Sequence, residues 1–272
     1  MLRRHDPDVI ALQETTPGRA ADLCDVLADL GYEYRFSTSR PDHRGQCVLS
    51  RVPLVRVAER RPPHARIFPR GWLELEMVGF GVRLAAVYGP PQGPSVPAFW
   101  SAAATWLRRR TSLPFLMVGD FNAGASLIDA RDYRFKCGDA FTRLTEIGLI
   151  DLWRRAHGGS SEHTWFSPSN GTRGGRGFRI DHAFASPDLA RQVADCRYDH
   201  AVRERRCSDH SLLLLDLSLR GGGAAAAIPP LQRRSPAQAG APAPCGPFRL
   251  RIQRRPSRTA HTVVATPKGS RK

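Results

Sequence analysis

Pro7-Asp8-Val9-Ile10-Ala11-Leu12-Gln13-Glu14 near the start of the chain and Val118-Gly119-Asp120-Phe121-Asn122-Ala123 near its middle share one design. Each is a short apolar run that ends abruptly on polar residues. Such a run reads as a buried strand, and the polar residues that follow it fall at the mouth of a sheet. After the first run, Thr16 reads as a helix N-cap and Pro17 as the first helical residue. Leu23, Val26, Leu27 and Leu30 then recur at helical spacing up to Gly31, a terminator. Working outward, strands are expected near Tyr32 to Ser37, Gln46 to Ser50, Trp72 to Val78, Val82 to Tyr88, Phe115 to Asp120, Phe178 to Ala185 and Ser211 to Leu219. Helices fit Ala98 to Arg110 and Ala140 to Ile147. Phe115-Leu116-Met117-Val118 and Leu212-Leu213-Leu214-Leu215 are apolar on both faces, so each must be covered twice. Two packed sheets with helices outside them do that.

The 272 residues, 41% of them hydrophobic, suffice for one large packed domain. The alternation of apolar and amphipathic segments stops near Leu219, where Gly221-Gly222-Gly223-Ala224 opens a stretch rich in Pro, Ala, Gly and Arg. Residues 1–219 are therefore expected to form the domain. Residues 220–272 form a basic tail with too few large apolar side chains to offset the entropy of ordering it. The net charge is +16, but that tail holds 11 Lys or Arg and no acid, which leaves 30 basic against 25 acidic residues before it. Net charge alone is thus a weak pointer to nucleic acid. No apolar stretch is long enough for a membrane span and Met1 to Pro7 is no signal peptide, so a cytoplasmic protein without membrane contacts is expected. Cys24, Cys47, Cys137, Cys196, Cys207 and Cys245 show no paired spacing, which points to reduced thiols rather than zinc or disulfides.

Three polar clusters stand at the strand mouths. Asp120 and Asn122, two residues apart, point the same way on extended chain and together can place and deprotonate a water. Alone, the pair reads first as an ordinary Asx turn. Glu14 is a hard-oxygen donor suited to Mg²⁺ and equally a charge favoured near a helix N-terminus. In Ser208-Asp209-His210, both Asp209 and His210 reach one site only if they lie in a turn. His210 can then donate to a phosphoryl oxygen, with Asp181 of Arg179-Ile180-Asp181 as the candidate that holds its ring.

Taken in order, Pro7 to Glu14, Val87-Tyr88-Gly89-Pro90, Gly119-Asp120-Phe121-Asn122, Arg179-Ile180-Asp181 and Ser208-Asp209-His210 resemble the endonuclease/exonuclease/phosphatase superfamily over about residues 7 to 217. The resemblance implies an α/β fold, a four-layer αββα sandwich with these loops at one end, lacking its N-terminal strand. That strand carries a Trp-Asn motif, and Met1 lies only a few residues before the second motif. Leu2-Arg3-Arg4-His5 reads as a helix end. The resemblance further implies Glu14 as ligand of Mg²⁺, with Mn²⁺ as substitute, and Asp209 near the metal or leaving group. It places Tyr88 on the phosphate, Asp120 with Asn122 at the nucleophilic water, and Asp181 behind His210. Within the superfamily, Thr164-Trp165-Phe166 and Arg176 to Asp181 are similar to the exonuclease III and abasic-site endonuclease branch. There Trp165, Phe178 and Ile180 would line an apolar pocket for a base-free sugar. They read equally as core packing. The expected activity is hydrolysis of a phosphodiester in DNA. RNA, small phosphoesters or phosphoinositides are the alternative substrates, and a catalytically silent truncated chain is the alternative to an enzyme.

Overall fold

A computed structural model describes residues 2–57, 62–110, 114–168 and 175–219. The expected tail and Cys245 lie outside the described residues. In chain order the elements are α1 (Leu2–His5), β1 (Val9–Thr15), α2 (Pro17–Ala28), β2 (Tyr34–Ser37), β3 (Gly45–Ser50), β4 (Leu54–Arg56), α3 (Pro63–Ile67), β5 (Trp72–Met77) and β6 (Val82–Tyr88). They continue with α4 (Ser95–Leu107), β7 (Phe115–Asp120), α5 (Gly138–Glu146), β8 (Ile150–Asp151), α6 (Leu152–His157), β9 (Trp165–Phe166) and β10 (Gly177–Phe178). The last are β11 (Asp181–Ala185), α7 (Pro187–Ala190), β12 (Val193–Asp199), α8 (Ala201–Glu204) and β13 (Leu212–Leu217).

One sheet has six strands in the order β4-β5-β6-β7-β11-β8, and its strand faces alternate between two cores. Leu84 and Ala86 of β6, Leu116 and Val118 of β7, and Ala183 of β11 pack inward against Val9 and Ala11 of β1, Val48 of β3, and Leu213 and Leu215 of β13. Val87, Phe115, Met117 and Phe184 face the other way, onto Phe99, Trp100 and Leu107 of α4 and Phe141 and Leu144 of α5. The second layer is in two pieces, β1-β3-β2 and β12-β13. The outer side of the first, Ile10, Leu12 and Leu49, is covered by Ala20 and Leu27 of α2. That of the second, Leu212 and Leu214, packs on Val202 of α8. The order helix, sheet, sheet, helix is the expected αββα sandwich, and the twofold coverage of β7 and β13 is why their sequences are apolar on both faces.

Local expectations fail where packing geometry was hidden. On α2 the buried stripe runs through Ala20, Leu23, Cys24 and Leu27, and Val26 is 70% exposed on its rim. Leu30 lies beyond the helix, while Gly31 does take a left-handed φ of 82°. The single strand expected from Phe178 to Ala185 is two strands in two sheets, β10 and β11, separated by Arg179 and Ile180. β12, whose Val193-Ala194-Asp195-Cys196 run is too polar to stand out, is held by pairing with β13. Cys47, Cys137 and Cys196 are buried thiols, and Cys24 and Cys207 are half-buried, with no disulfide among the five.

Candidate active site

β6 and β7 run parallel and β11 antiparallel to β7, so the carboxyl ends of the first two and the start of the third meet at one end of the sandwich. Register then sets a row across the sheet: Tyr88 pairs with Asp120, and Asp120 with Asp181. The close approach depends on two glycines. A Cβ on Gly119, whose φ is 138°, would stand 2.1 Å from the Val87 carbonyl oxygen, and one on Gly89 would stand 1.9 Å from that of Phe121.

Phe121 anchors the loop. It is buried, stacked on Trp100 with centroids 5.1 Å apart and flanked by Phe184 at 5.8 Å, which turns its two neighbours away from the helical layer. Asp120 and Asn122 converge, though by a turn rather than by extended chain. Asn122 has a φ of 48°, its backbone N–H donates to Asp120 Oδ1 at 3.0 Å, and its Nδ2 donates to Asp120 Oδ2 at 2.8 Å and to the Gly89 carbonyl at 2.9 Å. The Asx turn and the functional reading describe the same geometry, because the amide that closes the turn also fixes the carboxylate.

His210 is held from the opposite side. Its Nδ1–H donates to Asp181 Oδ2 at 2.7 Å with both groups buried, a charge-assisted contact that leaves Nε2 as the ring's reactive nitrogen. Ser208 Oγ accepts from the His210 backbone N–H at 3.0 Å. Asp209, by contrast, is exposed, and Trp165 Nε1 donates to its Oδ2 at 3.3 Å. Glu14 sits at the bulged end of β1 with a left-handed φ of 57°. Its Oε1 accepts from the Tyr88 hydroxyl at 3.1 Å and its Oε2 from Arg44 Nη1 at 3.3 Å. A non-glycine residue in that conformation costs on the order of 1 kcal/mol or more, the kind of strain that collects at functional sites.

Ligand atoms of Asp120, Asp181 and His210 lie within 4.8 Å of one another, all three residues buried. Two hard carboxylate oxygens brought together out of water fit a small divalent cation, which would offset their repulsion. Glu14 of the expected ligand pair accepts from the Tyr88 hydroxyl, and Asp209 from Trp165, which stands beside His210. Of the expected pocket residues, Trp165 and Phe178 form a half-buried wall, their ring centroids 5.6 Å apart and Trp165 6.1 Å from the His210 ring. Ile180 is only 5% exposed and belongs chiefly to the core.

The motifs gave no role to what holds the row in place. Arg179, 2% exposed, donates through Nε to Asp129 at 2.8 Å and through Nη2 to Asp151 at 2.6 Å, and Arg154 also reaches Asp129 at 2.8 Å. Burial pushes the Asp151 carboxyl up, but His182 at 3.9 Å and the Arg179 fork outweigh it and hold it below the ordinary carboxylate range. Thr164 Oγ1 accepts from the backbone N–H groups of Ile180 and Asp181 at 3.1 and 3.3 Å, and the Tyr198 hydroxyl donates to the Asp181 carbonyl at 2.6 Å. A conspicuous Arg two residues before Asp181 was the one sequence signal for this clamp.

Fold and site together define a hydrolase of phosphate esters built on the αββα sandwich. The chain belongs to the endonuclease/exonuclease/phosphatase family, whose sequence model matches residues 1–210. It is 25% identical to the exodeoxyribonuclease III of Haemophilus influenzae over 242 residues, 78% of this chain and 90% of that protein. Among solved structures it is similar to the 3′ phosphatase NExo from Neisseria bound to a product DNA hairpin, with a TM-score of 0.64 and 22% identity over 79% of this chain and 91% of that one. An AP endonuclease from Archaeoglobus fulgidus matches with a TM-score of 0.60 and 19% identity, covering 77% of this chain and 87% of that one. Among the described residues no helix is long and apolar enough to cross a membrane.

Proposed function

We propose that the chain hydrolyses phosphodiester bonds in DNA with the help of Mg²⁺ or Mn²⁺, in the manner of a repair nuclease. The observation that carries the reading is the buried His210–Asp181 pair, 2.7 Å apart, facing the Asn122-braced carboxylate of Asp120 at the same strand ends. The naming of the Haemophilus relative as an exodeoxyribonuclease supports DNA as the substrate.

A divalent ion held by Glu14 beside Asp120 and the His210–Asp181 pair would supply positive charge for the phosphoryl oxygens. The remaining work falls to the protein. Asp120, fixed by two hydrogen bonds from Asn122, orients the attacking water and takes its proton as the new P–O bond forms; the ester P–O bond opposite breaks, and the leaving alkoxide takes a proton from solvent. Asp181 keeps the proton of His210 on Nδ1 in the neutral ring and stabilises the charged one, so that Nε2–H donates to a phosphoryl oxygen as charge builds there. Tyr88, whose hydroxyl donates to Glu14 in the free protein, turns that one O–H to the phosphate once Glu14 binds the cation, and the Trp165–Phe178 wall shields that side from water. His210→Ala is expected to lower kcat on a DNA hairpin about 10²- to 10⁴-fold in a chain that still folds, with a lowered unfolding midpoint because Asp181 loses its buried partner. A kcat within twofold of the parent would sink the assignment of His210.

A further inference from the structure

A second feature lies beside the reaction centre. A groove of about 500 Å³ runs from the turn after β2 to the outer edge of the large sheet, lined by Arg40, His43, Arg56, Arg70 and Trp106 and reaching Glu74. It shares a wall with the site. Ser39 Oγ donates to the Thr15 carbonyl at 2.8 Å, Arg44 reaches Glu14, and a Cβ on Gly71 would stand 2.6 Å from the Tyr88 carbonyl oxygen.

The groove is cationic without internal compensation. Glu74 is engaged by Arg110 at 2.8 Å and Arg83 at 3.8 Å. Among the described residues no carboxylate pairs with Arg40, Arg56 or Arg70. Arg56 Nη2 donates only to the Ser37 carbonyl, at 3.3 Å, and the Arg70 guanidinium lies over the Phe68 ring at 4.6 Å. Among the described residues two lining nitrogens, His43 Nδ1 and Trp106 Nε1, are buried without a hydrogen-bond partner. Buried donors of this kind lose free energy unless something completes them.

We infer that this groove holds the phosphate backbone of the nucleic-acid strand whose diester is cut, one or more nucleotides away from the scissile bond. The inference rests on the reading of the site as a DNA hydrolase. Guanidinium forks match phosphate oxygens in pairs, and the half-buried Trp106 offers a face for a base or sugar. Arginines spread along a groove whose wall touches the backbone of Thr15 and Tyr88 suit a polyanionic chain better than a single headgroup, which would need its cations converging on one point.

The test is the double variant Arg40→Glu/Arg56→Glu in the full chain, since both side chains are exposed and neither belongs to the catalytic machinery. Rates are measured across a NaCl series on a DNA hairpin and on bis-(p-nitrophenyl) phosphate. We expect KM for the hairpin to rise tenfold or more and the small diester to react within twofold of the parent. The slope of log kcat/KM against log salt should fall by about 0.9 for each phosphate that the variant no longer neutralises. An unchanged KM and slope would overturn the groove. If the parent failed to cut the hairpin, the DNA reading of the active site would fall separately. Equilibrium binding of the same hairpin would still decide the groove, with tenfold weaker binding by the variant supporting it and equal affinity overturning it. Inositol hexakisphosphate binding the parent more tightly than the hairpin, with that preference lost in the variant, would overturn the polynucleotide assignment.

Discussion

Asp120 and His210 are buried at strand ends and Glu14 is half-buried beside them, and they fail in different ways when changed. Asp120→Asn removes the proton acceptor, and added metal should not restore its rate. Glu14→Gln keeps the shape and the Tyr88 contact but replaces an anionic oxygen with a neutral one, which weakens a hard cation more than it weakens the chemistry. Its rate should recover by about tenfold or more when Mg²⁺ or Mn²⁺ is raised well above the level that saturates the parent. Initial rates in a metal titration check this. Identical metal dependence for Glu14→Gln and the parent would remove Glu14 from the metal site. These residues were legible because each interrupts an apolar run. Arg44 was not legible, and Thr164 and Ser208 stood in the quoted motifs without a role, since a polar residue in a loop carries no mark of the backbone it will meet.

Between elements, two buried groups set how the fold responds to acid. Among the described residues, His64 of α3 is buried with neither ring nitrogen bonded, edge-on to Trp72 at 4.2 Å and Phe99 at 5.4 Å, and burial lowers its pKa to about 3. The unfolded chain therefore binds a proton near the ordinary histidine value while the folded one resists it. Stability is complete above about pH 6.5, falls as pH drops below that value, and levels off only near the folded pKa. Between about pH 7 and pH 4.5 this one group should remove about 2 to 3 kcal/mol. His64→Phe should flatten that slope in urea unfolding, and an unaltered pH profile would show that His64 is not the responsive group. The Asp151 carboxyl, held low, acts in a more acidic window: its contribution is present above the unfolded carboxylate pKa and is lost as pH falls below it. Arg179→Met leaves Asp129 and Asp151 buried without their shared cation and should cost about 3 to 5 kcal/mol in urea unfolding. A loss below about 1 kcal/mol would show that the clamp is not needed to hold β11 against β7. The partners of Arg179 were not readable beforehand, because Asp129 and Asp151 are far from it in sequence and meet it through the loop after β7 and the β11–β8 pairing.

For the whole molecule, the two-sided apolar runs of β7 and β13 were enough to demand packed sheets with helices outside, and the order of the strand-end motifs then identified the family. What stayed hidden was the break between β10 and β11, β12 with its mixed polarity, and the second layer's division into two pieces. Each depends on which strand pairs with which, and periodicity does not encode that. The domain is proposed to end at residue 219, so a chain of residues 1–219 should keep the parent's unfolding midpoint and lose only salt-sensitive DNA affinity. An insoluble product from a soluble parent would move that boundary. The central claim is that Asp120 and the His210–Asp181 pair form one reaction centre. The direct measurement is the initial rate of hairpin cleavage for Asp120→Asn and His210→Ala over a full Mg²⁺ and Mn²⁺ titration, alongside the unfolding midpoint of each. Both variants should stay folded and remain slower than the parent by about 10²-fold or more at every metal concentration. Near-parental rates from a folded Asp120→Asn at any point of the titration would contradict the claim.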